Sequence, residues 1–488
     1  MKVLWMSDSP TTPSGYGNIT RSVCAGLADR GHQVSILGWQ TQGQPIPWQN
    51  CMLYPSKFNA DEILNYLRQL QPDMLVVLAD IWWLTHVNCS AIINFLYTAG
   101  IPWALYYSID ADMGENLLPL SWVNILKAVD LPIAMSRYAY DITQANRVIP
   151  AYIPHGIDTK VFQPPIDKEL AKRALGYEGK FVILSDARNQ LRKMLPRTLE
   201  IFRRFAADKD DAILHLHCDP DDPFACSHEY SYDLQSDLAF LNLTEKAHIT
   251  KDMSVSKDFP LAQLTQIYQA SDVHLLASWG EGFGLSTLQA AASGVVPLAS
   301  DYTASQELVF NHGEGINTQH FLLDHFGLRR GLIDIDHAVC GLEKLYRDRK
   351  LLASKAQSAR EFALSYDWEH IIPQWDELLQ REVMVSRTRA SLISSVQLER
   401  TLRIPVTLPL AKSKQRVSGC VYVTSQRDVP SVLALYRIFP GLKVWSTIPL
   451  DFGSSLSNGK PLQAKVVQAN SPQYRPNLAV STLALDMG

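Results

Sequence analysis

Short apolar runs alternate with amphipathic helical stretches twice along this chain, and that rhythm restricts the fold to parallel sheets covered by helices on both faces. In the first series KVLWMS reads as a strand, followed by a loop of Ser, Pro, Thr and Gly and a helix with Ile19, Val23 and Leu27 on one face. Val34 to Trp39, Met74 to Leu78, Trp103 to Tyr107 and Leu131 to Met135 read as the next strands, with a helix closed by Gly100 and another starting near Ser136. The rhythm stops at PHGIDTKVFQPPIDKE, a linker rich in Pro and polar residues, and restarts with FVILSD, AILHLHC, HIT, VHLLAS and VVPLAS. The expected fold is therefore α/β: two Rossmann-like, doubly wound parallel-sheet domains with a ligand cleft beyond the carboxyl ends of their strands.

The expected boundaries are 1–155 for an N-terminal acceptor domain and 156–366 for a C-terminal donor domain. Residues 367–400 are expected to form C-terminal helices that return to the N-terminal domain, because Trp368, Ile371, Ile372, Trp375 and Leu378 make an apolar face at helical spacing. Residues 401–488 read as a small appended strand–helix–strand module, with VYVTS and LKVWST flanking RDVPSVLALYRIF. Two full domains and an extension suit a chain of 488 residues.

Composition narrows the partners. With 47% hydrophobic and 19% charged residues the chain reads as globular, and its formal net charge of −4 advertises neither nucleic acid nor an anionic membrane. No apolar run reaches membrane-spanning length, and MKVLWMSDSP meets Asp8 before any signal-like core. Seven scattered cysteines suit a reducing compartment, so a cytoplasmic location is expected. Residues 381–416 depart locally from this balance, holding Arg381, Arg387, Arg389, Arg400, Arg403, Lys412, Lys414 and Arg416 against Glu382 and Glu399. Such a run serves either as a solvated helix and linker or as a landing strip for an anionic acceptor, DNA or an anionic glycan among them.

Three loops can carry chemistry. In TTPSGYGN, Gly15 and Gly17 let the backbone turn tightly before a helix whose N–H groups can face a phosphate or a sugar hydroxyl, though a turn that holds nothing uses the same residues. In ARNQLRKML, Arg188, Arg192 and Lys193 follow a strand at its carboxyl end, where cations can take the place of a metal beside a departing diphosphate. Taken alone, they describe solvated charges at a helix start more readily than a binding site. The third loop, SWGEGFGLSTLQAAASGVVPLASDYTASQELV, puts Glu281 among glycines at the mouth of the cleft, with Gln289 two helical turns further along on the face of Leu285 and Glu307 at the start of the following helix. HLHCDPDDPFACSH gathers His215, His217, Cys218, Cys226 and His228, but the spacing is loose for zinc, and a strand end followed by an acidic loop is the expected structure.

In these phrases the chain resembles the retaining GT-B glycosyltransferases, the family-four-like group with a Glu-x7-Glu motif. EGFGLSTLQAAASGVVPL matches their EGFGLPxLEAMAxGxPV, PHGIDTKVF their P-x-G-[IV]-D-x-x-x-F, and Arg188 with Lys193 their Arg-x4-Lys, so the resemblance covers roughly residues 1–380. It implies transfer of a hexose or pentose from a nucleotide diphosphate-sugar, a UDP-sugar for instance, to an unidentified hydroxyl acceptor, with retention and with neither cofactor nor metal. It further implies that Glu281 holds hydroxyls of the transferred sugar, and that Arg188 and Lys193 meet the diphosphate. Phe283 and Gly284 then offer backbone N–H groups, position 289 contacts the ribose, and Glu307 lies near the nucleotide. Two departures stand out. Gln289 replaces the usual Glu, and YYSIDADMGEN supplies Asp110 and Asp112 where relatives carry a His, which makes Asp110 the candidate for touching the sugar or taking the acceptor's proton. The competing reading is a GT-B scaffold that has lost turnover and acts as a binding or structural protein.

Overall fold

The computed structural model describes residues 1–85, 89–222, 231–251, 253–254 and 259–401, together with four short strands beyond them; side chains are described as far as residue 386. The chain divides into two compact units, Met1–Ile393 and Ser394–Gly488. The first ends inside the helix Trp368–Thr401, somewhat before the boundary at 401 expected from sequence.

Among the described residues, sixteen strands of the first unit form two large sheets and a hairpin. Strands β1 (Lys2–Ser7), β2 (Gln33–Gly38), β3 (Ile46–Trp48), β4 (Cys51–Pro55), β5 (Met74–Leu78), β6 (Trp103–Tyr107), β7 (Leu131–Ala134) and β8 (Ala151–Tyr152) assemble in the order β3-β4-β2-β1-β5-β6-β7-β8. All neighbours are parallel except β3 with β4. Strands β9 (Phe181–Asp186), β10 (Ala212–His217), β11 (Ala247–Ile249), β12 (Val273–Leu276), β13 (Val296–Ser300) and β14 (Glu314–Ile316) form an all-parallel sheet ordered β11-β10-β9-β12-β13-β14. In both sheets the order reverses beside the first strand, β1 between β2 and β5, and β9 between β10 and β12. The central strands are buried on both faces, which is why they read as unbroken apolar runs rather than alternating ones.

The hairpin β15 (Thr318–Leu323) and β16 (Arg329–Ile333) was not legible as a separate element in the sequence. It leaves the second sheet and reaches the first half: Leu328 is fully buried in the first half's core, and Phe326 packs against Trp82 and Trp122. The Arg329 amide donates to the carbonyl of Asp112 at 2.7 Å, and the Gly331 amide to Trp279 at 2.8 Å.

The helix Trp368–Thr401 crosses back to the first sheet. Trp375 is fully buried, edge-on to Trp5 at 5.4 Å and to Tyr106 at 4.8 Å between ring centroids. Asp376 anchors the same helix by accepting from His32 at 2.8 Å. Just before it, Asp367 accepts from both the amide and the hydroxyl of Thr159, so the two chain crossings between the halves are tied to each other.

In the second unit β17 (Cys420–Val423), β18 (Lys443–Ser446), β19 (Lys465–Val466) and β20 (Leu483–Asp486) form a sheet ordered β19-β18-β17-β20, with β20 antiparallel. The helix expected over RDVPSVLALYRIF lies outside the described residues, as do Arg403, Lys412, Lys414 and Arg416 of the basic run. The backbone of Arg387, Arg389 and Arg400 continues the long helix.

Candidate functional site

Glu281 stands in the loop after β12 and is almost wholly buried. Its Oε1 lies 2.5 Å from Lys193 Nζ and its Oε2 3.1 Å from Arg192 Nη1. Local backbone bonds explain why these residues meet. After β9 the chain makes a short 3-10 turn, Leu191–Lys193, and the carbonyl of Arg192 accepts from the Trp279 amide at 3.0 Å and from the Ser278 hydroxyl at 3.1 Å. The Glu281 amide donates to Thr303 Oγ1 at 3.0 Å, so the loop is held from both sides. Burial alone pushes the Glu281 carboxyl up, but Lys193 and then Arg192 outweigh it and hold the group at about 2. Burial and the neighbouring Arg192 lower the Lys193 ammonium, with Glu281 opposing. Burial acts against the Arg192 cation too, but Glu281 and Asp110 more than compensate and raise its pKa.

The glycines around Glu281 are explained by contact between the two halves. A Cβ on Gly280 would lie 2.1 Å from the carbonyl oxygen of Asp110, and one on Gly282 would lie 2.4 Å from Ser108 Cβ. Gly284, at φ +104°, takes a left-handed conformation that a side chain resists. It precedes the helix Leu285–Ala292, whose N-terminus has no side-chain cap, leaving amide N–H groups available near Phe283 and Gly284. Phe283 itself is buried, edge-on to His155 at 4.5 Å.

On the facing half, Ser14 caps the helix Gly15–Asp29 by accepting from the Gly17 amide at 2.9 Å, and its hydroxyl donates to Asp8. Gly17 is required by packing, since a Cβ would lie 2.3 Å from the Thr12 carbonyl; Gly15 faces open space. Between them Tyr16 donates to Asp80 Oδ1 at 2.5 Å, and Ser108 donates to the same oxygen at 2.9 Å. Burial raises the Asp80 carboxyl, opposed by the Tyr16 and Ser108 bonds and by Arg192. Burial and the adjacent Asp80 carry the Tyr16 phenol well above its ordinary value, so it stays protonated. Neither Tyr16 nor Asp80 stood out in sequence; the available signal was a carboxylate closing the apolar run DMLVVLAD. Asp110 is occupied by a partner that sequence did not suggest, Arg330 of the hairpin, whose Nη1 lies 2.9 Å from Oδ1 while Nη2 reaches Asp324 at 2.8 Å. Asp112 accepts from the Asn116 amide at 2.9 Å in a local turn.

Other candidates stand apart from this cluster. Arg188 forks onto buried Asp222, with Nε and Nη2 each 2.8 Å from a carboxylate oxygen, so Arg192 rather than Arg188 joins Lys193 at Glu281. Gln289 Oε1 lies 3.1 Å from the Tyr268 hydroxyl. Glu307 Oε2 accepts from the Arg137 amide of the first half at 2.9 Å, while Oε1 is buried with no partner among the described residues. Burial pushes Glu307 up to about 7. It borders a cavity of about 700 Å³ with Arg137, Tyr152 and Tyr366. A cavity of about 1030 Å³ runs along β10 and β11 beside Tyr177 and His248, away from Glu281. There His215 bonds Tyr177 at 2.8 Å and shares Thr250 with His217, each at 2.9 Å; Cys226 and His228 lie outside the described residues.

A buried carboxylate held by two cations, at the carboxyl ends of two facing Rossmann-like sheets, can be compared with known proteins. Residues 167–361 match the family model described as glycosyl transferases group 1. Over these residues the chain is similar to the group 1 glycosyl transferases. A relative by sequence is the lipopolysaccharide core biosynthesis mannosyltransferase LpsB of Rhizobium meliloti (strain 1021), 28% identical over 272 residues, which cover 52% of this chain and 68% of that protein. Among solved structures, sucrose-phosphate synthase from Thermosynechococcus elongatus superposes with a TM-score of 0.63 at 16% identity, covering 78% of this chain and 98% of that one. Anabaena HepE in complex with UDP superposes with a TM-score of 0.59 at 14% identity, covering 78% and 100%. The fold over the superposed residues is thus GT-B. No helix among the described residues is long and apolar enough to cross a membrane.

Proposed function

We propose that the chain transfers a sugar from a nucleotide diphosphate-sugar to a hydroxyl acceptor, with retention at the anomeric carbon and without a divalent metal. The observation that carries this reading is the Glu281–Lys193–Arg192 trio where the two halves touch. Two cations share one carboxylate, so the trio offers positive charge to an anion at a place from which water is largely excluded. Transfer breaks the bond between the anomeric carbon and the diphosphate oxygen, and negative charge grows on the leaving group. Lys193, Arg192 and the uncapped start of Leu285–Ala292 are the groups to receive it. The acceptor oxygen bonds to the same face of the sugar, and its proton passes to the departing diphosphate. Asp80 and Asp110, on the facing half, border the space where an acceptor hydroxyl would lie, with Asp110 steered by Arg330.

The test is incubation with a panel of nucleotide sugars, read by product mass and by the anomeric configuration in NMR. Mannose donors and UDP-sugars belong in that panel, given the mannosyltransferase relative and the UDP-bound HepE structure. A product or hydrolysed donor with retained configuration, unaffected by chelator, is the expected outcome. Activity lost in chelator and restored by manganese or magnesium would refute the metal-free reading. Nucleotide binding without transfer or hydrolysis of any donor would favour a binding scaffold instead.

A further inference from the structure

Gln289 stands where the resemblance to the Glu-x7-Glu group implies a carboxylate, and its surroundings supply a physical reason for an amide. Tyr268, on the helix Leu261–Ala270, is fully buried, and its hydroxyl lies 2.5 Å from Asp186 Oδ2 and 3.1 Å from Gln289 Oε1. Asp186 is the last residue of β9 and is partly exposed at the carboxyl end of the sheet, close enough for its charge to act on Lys193. A phenol has one proton, and burial keeps this one in place. The shorter contact, to a charged acceptor, takes the proton. The Tyr268 oxygen can then only accept from position 289, which an amide permits by presenting its NH2 face, since its O and N ends exchange by a simple flip. A carboxylate at 289 would instead set two acceptors against one phenol proton and two like charges against each other. An amide at 289 thus accommodates both contacts of the Tyr268 hydroxyl, which a second carboxylate would not.

We propose that Asp186 supplies the carboxylate that grips the ribose hydroxyls of the donor nucleotide, with the Gln289 carbonyl as its companion and Tyr268 fixing the geometry of both. This rests on the nucleotide-sugar reading above. The carboxylate expected on the helix after the Glu281 loop has moved to the end of β9, and the amide has taken its place. The two positions lie at strand and helix ends on the side of the sheet where ligands of doubly wound folds bind.

Calorimetric titration of the full chain with UDP, GDP, ADP and CDP, each as ribonucleotide and as 2′-deoxy form, tests the assignment. The native chain should bind its preferred ribonucleotide about tenfold or more tightly than the deoxy form. Asp186→Asn should lose most of that preference. Gln289→Glu should weaken binding at least about fivefold, and Asp186→Asn combined with Gln289→Glu should recover the ribose preference to within about twofold. A purely structural role for Asp186 would lower the melting temperature and leave the ratio of ribo to deoxy affinity unchanged, which would overturn the proposal. Should Asp186→Asn not fold, failure of Gln289→Glu to weaken binding would overturn it equally. If the native chain binds none of the four nucleotides, the donor reading itself falls.

Discussion

Gly282 and Ser108 are in van der Waals contact across the cleft: a Cβ added to Gly282 would lie 2.4 Å from the Cβ of Ser108. The loop that carries Glu281 and the strand end that carries Ser108 therefore approach as closely as backbone allows. Gly282→Ala should force the halves apart and reduce transfer at least about tenfold, roughly 1.4 kcal/mol of transition-state stabilisation, while each half stays folded. Ser108→Gly in the same chain should restore part of the loss. Steady-state kinetics of the single and double variants decide this, and a double variant no faster than the single variant would refute the steric explanation.

Arg188 and Lys193 should separate in their effects, although their spacing suggests a common role. Lys193→Ala removes the contact to Glu281 and should lower transfer or donor hydrolysis at least about tenfold. Arg188→Ala should lower activity too if it meets the diphosphate, but it also strips the fork from buried Asp222, at an expected cost of about 1–3 kcal/mol in stability. Denaturant unfolding beside initial rates distinguishes the two. Unchanged kinetics in both variants would remove the cations from the donor site.

The acid side of the stability profile should carry the signature of Glu281. Its folded value, about 2, lies below the ordinary 4.5, so its contribution is complete above pH 4.5 and is lost as pH falls toward 2. Glu281→Gln should flatten unfolding free energy over that window, as measured by urea denaturation at several pH values.

Glu307 has the opposite sign. Its folded value, about 7, lies above the ordinary 4.5, so the folded state is favoured below pH 4.5 and loses that advantage as pH rises through 7. Glu307→Gln keeps an oxygen for the Arg137 amide and removes the buried charge. It should stabilise the chain at pH 8 by on the order of 1–3 kcal/mol and change little at pH 4. Thermal melts at the two pH values check this, and equal shifts at both would contradict it.

Trp375 fastens the returning helix to the first sheet through Trp5 and Tyr106. Trp375→Ala should cost about 3–5 kcal/mol, visible as an early unfolding transition in calorimetry. A variant as stable as the native chain would mean that the helix does not depend on this contact.

Much of the architecture could be read from local patterns. Met74–Leu78 and Trp103–Tyr107 are strands at the positions their apolar runs mark, Ser136 caps a helix, and Gly100 ends one in a left-handed turn. The apolar face from Trp368 to Leu378 is buried because it recurs at helical spacing and needs a partner. Such signals reside in neighbouring residues and survive without knowledge of the rest of the chain. What meets across the cleft is another matter. Tyr16 and Asp80 are 64 residues apart, and Arg137 and Glu307 are 170 apart. Arg192 and Arg188 are equivalent in sequence, yet Glu281 engages one and Asp222 the other. The hairpin 318–333 has no pattern that announces it, and its Leu328 lies in the core of the first half. Spacing along a chain records periodicity and turn chemistry; which charges share a buried site, and whether burial or a partner sets their protonation, depends on distances that exist only once both halves have folded.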